Sequence, residues 1–97
     1  MKLFKDPALT EPIQNLDLGI VAAGETAEFT FYVYNDTLAE VKELVFKVEN
    51  SEVKIIRAPK ELKAKKSDEL VISWSPSVTL KQGLSTRLGI TGIELWS

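Results

Sequence analysis

Residues 26–35 read Thr-Ala-Glu-Phe-Thr-Phe-Tyr-Val-Tyr-Asn. Phe29, Phe31 and Val33 share one parity, and Thr30, Tyr32 and Tyr34 share the other. Alternation of this kind in aromatic and β-branched residues predicts a strand with one face buried. Asn35-Asp36-Thr37 then turns the chain, because Asn and Asp hydrogen-bond their own backbone at turns. The same three residues match a glycosylation sequon, read here as turn chemistry.

The pattern repeats on both sides of this strand. Upstream, residues 15–21 alternate with Leu16, Leu18 and Ile20 on one face. Ala22-Ala23-Gly24-Glu25 forms the turn into residue 26. Downstream, Leu44, Phe46 and Val48 point inward, and Glu43, Val45, Lys47 and Glu49 point outward. A short strand over 53–58 is stopped by Pro59. Residues 59–67 form a charged loop whose Leu62 plugs the core. Residues 68–75 place Leu70, Ile72 and Trp74 on one face and end at Pro76, and a loop over 76–83 closes at Gly83. The last stretch puts Leu84, Thr86, Leu88 and Ile90 on one face. Gly89 and Gly92 then permit a bulge, after which Ile93 and Leu95 continue the inward ladder. No segment holds a helical period over the 10–12 residues or so a helix needs. About seven short strands with turn signals at regular spacing predict an all-β fold, an antiparallel β-sandwich.

Residues 1–14 carry Pro7 and Pro12 and no clear period, and are read as an N-terminal arm; residues 15–97 form the sandwich domain. The arm is either a frayed terminus or a short edge strand against the body, or it docks on a neighbouring subunit.

The chain has 97 residues, no cysteine and no histidine. One small domain fits that length. Thiolate chemistry, disulfides, zinc-finger sites and imidazole acid–base catalysis are excluded by composition. The carboxylates lie singly along turns and outer faces. The adjacent pair Asp68-Glu69 opens a strand, so its side chains point to opposite sides. No phosphate loop, nucleophile elbow or metal spacing is present. The expectation is therefore no catalytic residue, no cofactor and no metal. The N-terminus lacks the apolar stretch of a secretory signal, and no window reaches the ~18–20 apolar residues of a membrane helix. Synthesis in the cytoplasm is expected, with no membrane partner.

Leu18-Gly19, Ala23-Gly24-Glu25, Phe29-Thr30-Phe31 leading to Asn35, then VFKVENSEVKIIRAP, Leu62 and LVISWSP follow one another in order. This series resembles the immunoglobulin-like sandwich of the major-sperm-protein, ASH and PapD-like group. The resemblance covers residues 16 to about 95 and is carried by turn and core positions. It implies seven strands in two sheets and a non-catalytic binding or scaffold module, without naming a ligand. The small cysteine-free sandwich is also similar in architecture to accessory proteins that decorate the capsids or tails of tailed-phage virions.

Three features are candidate interaction sites. Lys54, Arg57, Lys60, Lys63, Lys65 and Lys66, less Glu61, give +5 over residues 54–66, so with the chain at -2 the remainder carries -7. Such asymmetry marks either a docking surface for an acidic protein or a lysine-guarded sheet edge. No aromatic residue interleaves with these lysines, so a nucleic-acid partner is not expected. Tyr32 and Tyr34 form a stripe that either packs across strands or meets a partner. Trp74 is assigned to the core. Trp96 either caps the open end of the sandwich or anchors a neighbouring subunit. The function expected is a structural protein that binds a capsid or tail lattice, with self-association into an oligomer compatible with it. The alternative is a cytosolic adaptor that binds an acidic peptide or loop.

Overall fold

The computed structural model describes residues 1–96. Nine strands follow in chain order: β1 (Lys2–Phe4), β2 (Pro12–Ile13), β3 (Leu16–Gly19), β4 (Ala27–Tyr34), β5 (Glu40–Val48), β6 (Val53–Arg57), β7 (Ser67–Trp74), β8 (Leu84–Thr86) and β9 (Leu88–Leu95). One layer is a five-stranded sheet in the order β2-β1-β4-β7-β6. The other is built from the pairs β3-β8 and β5-β9, and every pairing is antiparallel. The fold is an all-β antiparallel sandwich, compatible with an immunoglobulin-like arrangement. Seven of its strands follow residue 15.

The stretch that decides the fold is central to it. β4 pairs with β7 along its whole length, setting Phe31 against Leu70 and Phe29 against Ile72. Phe31 and Val33 of β4 and Leu70, Ile72 and Trp74 of β7 are buried and face Leu16, Leu18, Val41 and Leu44 of the other layer. Phe29 and Phe46 are only partly buried at the margin of this core. Burial of a Val, Leu, Ile or Phe side chain stabilises by roughly 1.5–3 kcal/mol. This core, without any covalent staple, therefore holds the two layers together. Leu62 acts as the expected plug. It is 5% exposed and bridges to Val41, which closes the outer edge of β5.

The stretch 1–14 lies along this body. β1 pairs with β4, with Leu3 opposite Val33, and β2 pairs back on β1. Leu3 and Phe4 are both buried.

Two expectations are corrected. Ile20, expected to share a face with Leu16 and Leu18, lies past the end of β3 and is 63% exposed, because Gly19 at a φ of 64° breaks the alternation. The bulge lies in β5, not β9. The β5-β9 register shifts between Lys42 and Val45, and Glu43 adopts a φ of 53°. The bulge lets Val41 and Leu44 both face inward although three positions separate them. β9 therefore runs unbroken, with Leu88, Ile90 and Gly92 on its inner side. Ile93 and Leu95, expected to continue the inward ladder, stand on the outside, 52% and 46% exposed. Gly92 occupies the inward position closest to β5. A Cβ there would lie 2.6 Å from Cγ1 of Val41 and 3.0 Å from Cδ2 of Leu44.

Candidate functional site

Besides the four-residue β3, whose outer edge also has no strand partner among the described residues, four edges of the sandwich can be compared, and they are treated differently. β6 ends one side of the five-stranded sheet. It carries Lys54 and Arg57, its register shifts between Ile55 and Arg57, and Pro59 follows. Lysine, a bulge and proline are the devices that keep a sheet edge from pairing with another chain. β2 ends the other side of that sheet, is two residues long and begins with proline. The outer edge of β5 is covered by the 59–66 loop, through Val41 N to Leu62 O, Leu62 N to Val41 O and Leu44 N to Lys60 O, each 2.9 Å.

β9 is different. One of its edges pairs with β5, and among the described residues no strand pairs with the other. The direction of its backbone groups follows from one bond. Glu49 N donates to Arg87 O at 3.0 Å, so the backbone of Arg87 faces β5. Backbone direction alternates along an antiparallel strand. Leu88, Ile90, Gly92 and Glu94 therefore turn their N–H and C=O groups away from β5, toward the open edge. Thr86, one step earlier, pairs with Leu16 of β3. β3 covers this edge as far as Thr86, and beyond that point the edge is bare. Residues 88–95 contain no lysine, arginine or proline.

A groove of about 810 Å³ lies beside the bare edge. Met1, Leu3, Pro12 and Ile13 line one side, Leu88, Ile90 and Gly92 the other, and the buried Val41 and Leu44 its base. It is the gap where the two layers part between the β1-β2 hairpin and β9. At its rim, the N-terminal ammonium lies 3.2 Å from Oδ1 of Asp36. Hydrogen bonding from that ammonium holds the Asp36 carboxyl below its ordinary value, with a smaller opposing push from desolvation. Val45, Ile93 and Leu95 add an exposed apolar patch on the outer face of the β5-β9 pair.

The basic residues do come together on one rim. Lys54 and Arg57 project from β6, and Lys60, Lys63, Lys65 and Lys66 from the loop behind it, all exposed. Arg57 is paired with Glu69, and Nζ of Lys65 donates to the carbonyl of Asp36 at 2.7 Å. Among the described residues, Lys54, Lys60, Lys63 and Lys66 have no ion pair or side-chain hydrogen bond. Asn35 sets the shape of this loop. Its side chain is fully buried, and Nδ2 donates to Ala39 O at 2.8 Å and Leu62 O at 3.0 Å. Its Oδ1 accepts from Thr37 N and Thr37 Oγ1. Asn35 N donates to Lys66 O, and Lys65 N to Asn35 O. The turn reading of Asn35-Asp36-Thr37 fits these bonds, and they leave the amide no access to solvent.

Tyr32 and Tyr34 are half-buried rather than laid out as a bare stripe. β1 runs along them, with Phe4 opposite Tyr32, and the Phe4 and Tyr34 rings meet edge to face at 6.2 Å. Trp96 is 65% exposed at the end of β9, and its Nε1 donates to Oε2 of Glu94 at 3.1 Å. The tyrosines, Lys54 and Arg57 thus belong to the five-stranded layer, Lys60, Lys63, Lys65 and Lys66 to the loop along the outer edge of β5, and Trp96 to the end of β9. The bare edge itself was missed by sequence reasoning. Its signal, an alternating run at 88–95 free of edge guards, is visible only once the pairing partner of each strand is known.

Compared with known proteins, the chain matches no family model, no curated protein and no solved structure. Among the described residues no helix is long and apolar enough to cross a membrane.

Proposed function

We propose that the chain is a non-enzymatic structural protein, an immunoglobulin-like sandwich of the major-sperm-protein and PapD-like type that takes its place in a protein assembly. The form proposed is an accessory protein of a capsid or tail lattice. The observation that carries this reading is the bare β9 edge beside a groove of mixed polar and apolar lining, on a molecule where β2 is short, the outer edge of β5 is covered and β6 is guarded. An edge left in this state presents backbone donors and acceptors to another strand, and strand addition is a general mode of protein recognition. The exposed Ile93 and Leu95 lie on the same strand, and the exposed Trp96 follows it.

The second reading, an adaptor for an acidic peptide or loop, is favoured by the four unpaired lysines of the basic rim. One experiment separates the two. Lysate of the cells that make the protein is run on a density gradient, and the fractions are probed with an antibody to this chain. The structural reading expects the chain in fast-sedimenting particles that survive nuclease, detergent and moderate salt. A chain that stays with the free proteins, or leaves the particles in moderate salt, contradicts the structural reading and favours the adaptor.

A further inference from the structure

We infer that the partner of the β9 edge is the β9 edge of a second copy, in an antiparallel register centred on Thr91. This rests on the reading of that edge as the assembly surface and goes beyond it by naming the occupant.

Two identical strands that pair antiparallel in one continuous sheet must place inward residues opposite inward residues. The two-fold axis then falls on a residue, and three positions are available near the middle of the bare edge: Ile90, Thr91 and Gly92. They are not equivalent. With Thr91 at the centre, Ile90 faces the second copy's Gly92, and Leu88 faces its Glu94. The four residues that turn their backbone groups to the open edge are then matched with one another, each exchanging both N–H···O=C bonds. Centring on Ile90 sends Glu94 to Thr86, whose edge β3 already occupies. Centring on Gly92 puts two glycines face to face and sends Leu88 past the strand's end to Trp96.

The side chains agree with the same choice. On the inner face each Gly92 lies beside an isoleucine, Ile90 of the other copy. On the outer face Gly89 lies opposite Ile93. Thr91 meets Thr91, a favourable cross-strand pair. Glu94 is the strand's one charged residue, and it faces Leu88, so no like charges are opposed. Trp96 lies past the end of β9 and takes no part in the pairing, which stops short of the edge of Thr86 that β3 occupies. The interface is isologous, and two-fold dimers are the commonest closed assemblies. It closes on itself, so pairing at this edge stops at two copies. The groove residues Ile90 and Leu88 of each copy are brought to the seam. The basic rims stay free, since β6 ends the other sheet on the far side from β2.

Charge substitution at Thr91 tests the register. Thr91 is exposed and its backbone faces β5, so its side chain can be changed without touching the core. In the proposed register it lies directly opposite its own copy, where like charges are destabilising. Light scattering after size exclusion is expected to give twice the 10.8 kDa chain mass for the unaltered protein. Thr91→Lys alone and Thr91→Glu alone are expected to weaken dimerisation by at least about tenfold. Mixing the two variants is expected to restore a dimer of the summed mass. Circular dichroism of each variant checks that the sandwich is intact. A monomeric unaltered chain at millimolar concentration overturns the inference. So does a dimer indifferent to both variants, or one that the mixture fails to restore. If the unaltered chain is monomeric yet sediments with particles, the self-pairing falls and the structural role stands. If it dimerises as predicted yet never sediments with particles, the reverse holds.

Discussion

Asn35 shows how one side chain can organise a surface. It sits at the end of β4 with its amide wholly inside, ties the 35–39 turn to the 59–66 loop, and thereby fixes where Lys63, Lys65 and Lys66 emerge. A buried group whose partner is removed costs roughly 1–3 kcal/mol. Asn35→Ala removes the Nδ2 bonds to Ala39 O and Leu62 O, which keep Thr37 Oγ1 and Val41 N as donors, and leaves the Thr37 amide without its acceptor. It is expected to lower unfolding stability by about 1–3 kcal/mol in urea titration. Asn35→Asp is expected to be worse, because a carboxylate would face two carbonyl oxygens in the interior. A loss under about 0.5 kcal/mol for Asn35→Ala would contradict this role. The sequence made Asn35 legible as a turn residue, since Asn-Asp-Thr is turn chemistry in any context. Its burial was not legible, because that depends on Leu62, 27 positions away.

At the scale of the element, β9 carries the account. Its alternation over 84–90 was readable, and so was the presence of glycine at 89 and 92. The reason for Gly92 was not. Glycine in a strand signals either a bulge or a close approach, and these look alike in a sequence. Here Gly92 is a close approach to Val41 and Leu44, and the phase shift is taken up by Glu43 on the partner strand. Gly92→Ala is therefore expected to destabilise by about 1–3 kcal/mol through overpacking, read as a shift of the urea midpoint. A substitution that leaves the midpoint unchanged would mean that β5 and β9 are not pressed together at that point. The alternations of β4 and β7 were read correctly because each strand states its own buried face. Which strands sit side by side is a non-local property, and no single strand states it.

For the whole molecule, the absence of cysteine and histidine leaves packing as the source of stability, and packing leaves one side of the sandwich open. The basic segment at 54–66, visible in composition, guards the β6 edge and forms a rim. The assembly surface proposed for β9 is not visible in composition, since residues 88–95 carry one charge, Glu94. The central claim is that the edge of β9 is bare in the single chain and filled in the pair. Residue-resolved amide hydrogen exchange, followed over a range of protein concentrations, tests it most directly. The amides of Gly89, Thr91 and Ile93 face β5 and are expected to be protected at every concentration. Those of Leu88, Ile90, Gly92 and Glu94 are expected to exchange fast in dilute solution and to become protected as the dimer forms. Protection of all seven at infinite dilution, or fast exchange of the second set at every concentration, would contradict the account.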